Sequence, residues 1–375
     1  MMRAPRSFAI VVRRRDGSLH VRERAVPDPR GSFARLPLVR GVASLVESLR
    51  LGGEALRFSA EQAEKDLVDP ETSTPAADLK TKALSALSAL GYALFLLTTH
   101  EPEPSPEPSA KAEPVTHPAI VEEAAKSAPA KKSAGPAAMM AVMVLFMIAL
   151  PQLVAAIMNR VLHLDFEVQS PKFQAMTGIF KLTIVIGYML LIRRIPDIRR
   201  VFQYHGAEHK TISTYEAGEE LTVENARKKT TLHPRCGTTF LVMVAIVSVI
   251  VFTALGGLVP RIHTGSQILD NVLFFLVKLP FVPVLAAITF EIQRVFARYF
   301  TKGPLRLVLV PGFLVQKVTT IEPDDAQLEI ALASLRATLF REAATSGVAA
   351  GDTEDLRFAT YEDLCTQDAL RNPAS

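Results

Sequence analysis

TTFLVMVAIVSVIVFTALGGLV, residues 238–259, carries no charged side chain along its whole length. As a helix rising ~1.5 Å per residue it covers the ~30 Å hydrocarbon core of a bilayer. Three other runs are of similar length and character: Ala137–Met158, Phe173–Ile192 and Ile268–Phe290. Phe173–Ile192 carries Lys181 in its middle, and Ile268–Phe290 carries Lys278, Pro280 and Pro283. The prolines free backbone carbonyls and predict a kink. A charge at mid-membrane costs ~2.5–3.5 kcal/mol or more, so both lysines are expected to face the bundle interior or to snorkel to an interface.

The basic residues give the orientation. Residues 193–237 hold Arg193, Arg194, Arg199, Arg200 and five further Lys or Arg, and Arg294, Arg298, Lys302 and Arg306 follow the last run. The two remaining connections are short and nearly free of basic residues. Four spans place every basic-rich segment on one side, as the positive-inside rule requires. A fifth span over Ala83–Thr98 would turn the 193–237 loop outward, so 83–98 reads as an interfacial or short membrane helix. The cluster Arg193, Arg194, Arg199 and Arg200 directly follows a span, a position that suits anionic lipid headgroups.

Composition agrees. The chain has 375 residues, 49% of them hydrophobic and 21% charged, and its mean hydropathy is positive. A net charge of only +4 gives no case for nucleic acid as a partner. The two cysteines, Cys236 and Cys365, form no disulfide framework. The apolar stretch Ser7–Val12 runs straight into Arg13, Arg14 and Arg15, too short for a secretory signal, so the N-terminus is expected to be cytoplasmic and uncleaved.

The remaining segments give the layout. Residues 1–82 read as a cytoplasmic hairpin and helix, with alternating apolar residues on either side of a two-residue Asp16-Gly17 turn. Residues 99–136, rich in Pro, Ala, Glu and Lys, read as a disordered linker. Residues 137–192 and 238–290 each hold two transmembrane helices, joined by a cytoplasmic loop over 193–237. Residues 291–340 read as cytoplasmic strands, Leu305–Val310 and Phe313–Val318, then an amphipathic helix over 324–340. Residues 341–375 read as a disordered tail. The fold expected is mainly α: a multi-pass membrane bundle of about four helices, with a small cytoplasmic α+β cap built from the N- and C-terminal segments. Its place is the cell membrane, with both termini cytoplasmic.

The densest polar chemistry lies in the 193–237 loop. HGAEHK at 205–210 sets His205 and His209 four apart, on one face of a helix, with Glu208 beside them. H-x-x-E-H is the inverted zinc-peptidase pattern, in which two imidazoles bind the metal and the carboxylate activates a water. HPRCGT at 233–238 adds His233 and Cys236. Together the four side chains make a His3Cys set, typical of closed structural zinc. With three bound, an open position leaves Glu208 as general base. Imidazole and thiolate favour zinc over magnesium or calcium, and iron or cobalt would also fit. The competing reading has histidines near a bilayer surface bonding only carbonyls or lipid phosphates, and Cys236 serving as a small apolar residue.

RVFQYHGAEHKTI at 200–212, LTVENARKKTTLHPRCGTTFL at 221–241 and LVQKVTTIEPDDAQLEIAL at 314–332 resemble the YqhQ-like family, a domain of unknown function. MMRAP at the start and LVRGVASLVESLRLGGEAL at 38–56 are weaker matches, and the chain opens at MMR where family members usually carry a Gly-rich stretch ending in EGVMMR. The resemblance implies a metal-dependent membrane enzyme and carries over His205, Glu208, His209, His233 and Cys236. The functional expectation is a membrane protein with a zinc site at the cytoplasmic face, hydrolytic in one version. A non-catalytic assembly protein with a structural metal is the alternative, and a transporter using Lys181 and Lys278 is a third.

Overall fold

The computed structural model describes residues 1–26, 39–67, 145–234, 236–299, 309–344 and 353–366. The 83–98 segment, the 99–136 linker and the start of the Ala137–Met158 run lie outside them. The chain begins with β1 (Met2–Arg3), β2 (Ser7–Arg13), β3 (Leu19–Ala25) and α1 (Val39–Leu67). A π-helical turn, Leu145–Ala149, leads into α2 (Leu150–Val161), and α3 (Pro171–Ile192), α4 (Pro196–Glu216), the short α5 (Val223–Arg227) and α6 (Gly237–Leu258) follow. Next come α7 (Gln267–Lys278), a 3-10 turn (Leu279–Phe281), α8 (Val282–Tyr299), α9 (Val310–Thr319) and α10 (Asp325–Ala344), and last β4 (Thr353–Phe358) and α11 (Tyr361–Thr366).

The fold is mainly helical, and three segments are long and apolar enough to cross a membrane: Pro171–Ile192, Gly237–Leu258 and Gln267–Phe296. Their outward faces carry Ile179, Ile250 and Leu276, each more than half exposed. The described part of the first apolar run, Leu145–Val161, is a shorter apolar helix. α3 starts where the sequence stops it from starting earlier: Ser170 accepts from the Phe173 N–H at 3.3 Å, and Pro171 occupies the first turn, where its missing N–H costs nothing. The third segment is broken as Pro280 and Pro283 predict, by the 3-10 turn between α7 and α8. Lys181 and Lys278 are both buried in the bundle interior.

The helices pack through Val185, Tyr188, Met189 and Ile192 of α3, with Ile198 and Phe202 of α4, Val242 of α6 and Val315 of α9. α10 sits centrally in the remaining structure, and its burial on several sides explains its weak amphipathicity. Leu328, Ala331, Leu332 and Leu335 pack on Ala207 of α4, Ala226 of α5 and Leu221 of the loop between them. Ile330, Ala333 and Ala337 pack under Ala9, Val11, Leu19 and Val21 of the sheet. The sheet's other face, Phe8 and Ile10, is covered by Leu51 and Phe58 of α1. A bidentate Arg40–Glu291 pair ties α1 to α8.

Four expectations need correction. The hairpin closes through three residues rather than two: Gly17 N–H donates to Arg14 O at 3.1 Å, and Arg14 N–H to Ser18 O at 2.9 Å. Gly17 then takes φ +86°, so the glycine completes a type I turn from the left-handed region instead of sitting at its centre. The stretch 313–318, read as a strand, lies within α9. Gly312, Val315, Gln316 and Thr319 are buried at helical spacing, and a short apolar run does not separate buried strand from buried helix. Residues 305–308 lie outside the described residues. The boundary of the amphipathic helix at 340 moves to Ala344. Finally, the tail read as disordered contains β4, which pairs antiparallel with β3 (Leu19↔Phe358 to Arg24↔Thr353) and completes a sheet of order β1-β2-β3-β4. Its hydrogen-bond partners lie at the far end of the sequence, where no local pattern could point.

Candidate metal centre

The site is built on α4. Phe202, His205 and His209 recur at helical spacing and are buried. The strand of chain between α9 and α10 crosses this face: Ile321 N–H donates to Phe202 O at 3.0 Å. The crossing is possible because residue 206 is glycine, since a Cβ there would meet Ile321 O at 2.2 Å. The close approach delivers Thr319 O to His205 Nδ1, 3.0 Å away. Thr231 O, from the loop after α5, reaches His209 Nδ1 at 2.5 Å. A carbonyl can only accept, so each Nδ1 carries a proton, and Nε2 of each ring is the atom left for other chemistry.

Cys236, the N-cap of α6, closes the arrangement. Its sulfur accepts from Thr238 N–H at 3.4 Å and lies 3.2 Å from His205 Nε2. His209 hydrogen-bonds the same sulfur, and the two imidazoles are 4.5 Å apart between ring centres. One ligand atom from each of His205, His209 and Cys236 lies within 4.8 Å of the other two, and all three residues are buried. Tetrahedral ligands ~2.1–2.3 Å from an ion stand ~3.5 Å from one another, so small movements suffice.

Burial alone disfavours every charge here. At Cys236 the two neighbouring imidazoles overcome it and hold the thiol well below its ordinary value. At His205 burial is likewise outweighed, by the Cys236 thiolate and then by Glu208, and the ring is raised to about 9. At His209 burial wins and the ring is lowered. These directions favour charge on His205 and Cys236 together and a neutral His209. A second proton on His205 would lie on Nε2, the nitrogen that a metal would take.

The other two residues singled out in sequence lie close by but outside this group. His233 is buried and its ring is 5.7 Å from that of His209. Its Nε2 faces Glu216 Oε2 at 3.2 Å. Glu208 accepts from the Met1 nitrogen at 2.9 Å and is part-buried beside β1. Of the other carboxylates within reach in sequence, Glu219 pairs with Lys229 and Glu291 with Arg40. Sequence reasoning missed Gln316, which is fully buried, accepts from His233 N–H at 2.9 Å and donates to His233 O at 2.7 Å and Thr239 Oγ1 at 2.9 Å. Its signal was a glutamine in the apolar run LVQKV, hidden by reading that run as a strand.

Comparison with known proteins adds a family and no activity. The family described as "Protein of unknown function (DUF1385)" matches residues 36–341. The uncharacterized protein YqhQ of Bacillus subtilis (strain 168) is 27% identical over 341 residues, 90% of this chain and 88% of that protein. No solved structure matches the chain.

Proposed function

The chain belongs to the family of proteins of unknown function DUF1385, and from that premise we propose that it is an integral membrane protein with a zinc centre at the cytoplasmic face, acting as a metal-dependent hydrolase. The observation that carries the reading is the tethering of both histidines through Nδ1 to backbone carbonyls, with Cys236 sulfur set between them. Histidine ligands to metals are commonly held this way, the outer bond fixing tautomer and ring orientation. The donor set fits: two imidazole nitrogens and a sulfur already biased to thiolate are zinc's preferred ligands.

His205, His209 and Cys236 would hold the ion, with His233 or a water completing the set. When bound by three protein ligands, zinc supplies a Lewis acid and a more acidic water. Glu208, three residues from His205, is the proton acceptor. His233, buried beside His209, is oriented by Glu216 through its side chain and by Gln316 through its backbone. The exposed Arg194, Arg199 and Arg200 beside the end of α3 suit anionic headgroups and support a site near that surface.

The test is elemental analysis of detergent-purified protein, with wild type beside His205→Ala/His209→Ala. Close to one zinc per chain, absent in the variant, supports the centre; no metal in folded wild type purified without chelator removes it. Glu208→Gln then separates the versions: retained zinc with lost activity supports hydrolysis. The part-buried contact of Glu208 with Met1 nitrogen and the burial of all three ligands favour a second reading, a structural zinc in a non-catalytic assembly protein. Full function in Glu208→Gln, together with unfolding of Cys236→Ser, would select it.

A further inference from the structure

The bundle holds a second polar centre, built from opposite materials. Lys181 lies near the middle of α3 and Lys278 at the break between α7 and α8; they are 4% and 1% exposed. Lys278 Nζ donates to Gln152 Oε1 at 2.8 Å and Gln174 Oε1 at 3.1 Å. The amide ends of both glutamines are committed elsewhere, Gln152 Nε2 to Asn271 O at 2.7 Å and Gln174 Nε2 to Val168 O at 2.6 Å. Their oxygens are therefore fixed toward the amine. Phe274 and Phe252 present ring faces with centres 4.7 and 5.0 Å from Lys278 Nζ. Carbonyl oxygens and aromatic faces are what an ammonium needs in place of water.

Lys181 differs. It donates to Ser248 Oγ at 2.6 Å and lies 5.8 Å from the centre of the same Phe252 ring. Ser248 spends its own hydrogen on Ala245 O at 2.7 Å. An ammonium has three donors, and among the described residues Lys181 uses one. Neither lysine has a carboxylate partner among those residues. Two amines thus share one aromatic ring, deep among helices, with nothing negative between them.

The backbone marks the same place independently. Gln152 lies three residues past the end of the π-helical turn Leu145–Ala149, and Lys278 directly precedes the 3-10 turn Leu279–Phe281. Interrupted helices at membrane depth, and π-turns in general, occur where a site is being built. Here two interruptions on different helices meet through the Gln152–Lys278 hydrogen bond.

We propose that Lys181 and Lys278 form an intramembrane binding site for one anionic group, either a small inorganic anion or the carboxylate of an apolar-tailed acid. Lys278 is the fixed charge, held by the glutamines, and Lys181 supplies the two donors that face the ligand. The proposal rests on reading these helices as membrane spans. Resistance of the protein to carbonate extraction from membranes checks that reading separately.

The test uses full-length protein in detergent, its thermal unfolding followed at constant ionic strength in sodium gluconate. Chloride replaces gluconate stepwise in one arm and octanoate in the other. A saturable rise in melting temperature is expected in at least one arm, with the half-saturating concentration raised at least tenfold in Lys181→Met. Saturation with chloride alone identifies an inorganic anion, and with octanoate alone a carboxylate on an apolar tail. If Lys181→Met does not purify folded, Ser248→Ala, which removes the acceptor that positions Lys181, is read instead and should show a smaller loss in the same direction. No saturable effect in either arm, or variants that follow wild type, overturns the proposal.

Discussion

Two buried polar centres stand out among the described residues, and their chemistries are complementary. Where the middle of α4 meets the N-terminus of α6, His205, His209 and Cys236 present two imidazoles and a sulfur, and the outer hydrogen bonds of both imidazoles go to carbonyls that can only accept. Between α2, α3, α6 and α7, Lys181 and Lys278 present only donors, and their outer bonds go to amide oxygens and a hydroxyl. By residue chemistry the first set suits the cation proposed above and the second the anion. In both, outer hydrogen bonds orient the side chains: backbone carbonyls hold the imidazoles, and amide oxygens and a hydroxyl hold the amines. Burial by itself therefore says little about a polar cluster; the donors and acceptors gathered in it say more.

The sharpest way to break the contrast is Cys236→Ser. It should weaken zinc binding by more than the ~100-fold typical of losing a supporting residue, measured by chelator competition, while Lys181→Met leaves zinc affinity unchanged. Equal loss in both variants would mean one cooperative core rather than two centres. Gln316→Leu comes next. It removes the two hydrogen bonds that Gln316 makes to the His233 backbone and should cost ~10–100-fold in zinc affinity with no change in anion binding. Gly206→Ala forces a Cβ against Ile321 O. Overpacking of this kind costs ~1–3 kcal/mol, so the melting temperature should fall, and the fall should be larger with zinc than after chelation, because the Thr319 tether moves with Ile321. Arg227→Ala, which removes an exposed pair with Asp325, should leave melting temperature and zinc content indistinguishable from wild type. A clear shift there would show that α5 is held to α10 by charge rather than by Ala226 and Leu328.

Much of this was legible in advance, for identifiable reasons. Long apolar runs need no partner to be recognised, so the three segments long and apolar enough to cross a membrane and the proline break stood out. His205 and His209 were placed on one face because helical spacing is local, and Cys236 was drawn in by its residue type. What stayed hidden was every atom defined by a distant backbone: the carbonyls of Thr319 and Thr231, and the Gln316 amide. Glu208 and His233 were named by pattern, and the fold gives them partners, Met1 nitrogen and Glu216, that no pattern carries. α9 was misread because a short apolar run lacks a period, and β4 because TEDLRF becomes a strand only beside β3.

The pairing of β3 with β4 also has a consequence in time. Residues 19–24 leave the ribosome more than three hundred residues before 353–358, and α10, which covers one face of the hairpin, is made almost as late. An isolated hairpin is marginal in water, and pairing across so long a separation is slow. The sheet can close only after every bundle helix has been synthesised. Until then β3 keeps an open edge and the hairpin one bare apolar face, so the first-made strands are the last to be covered.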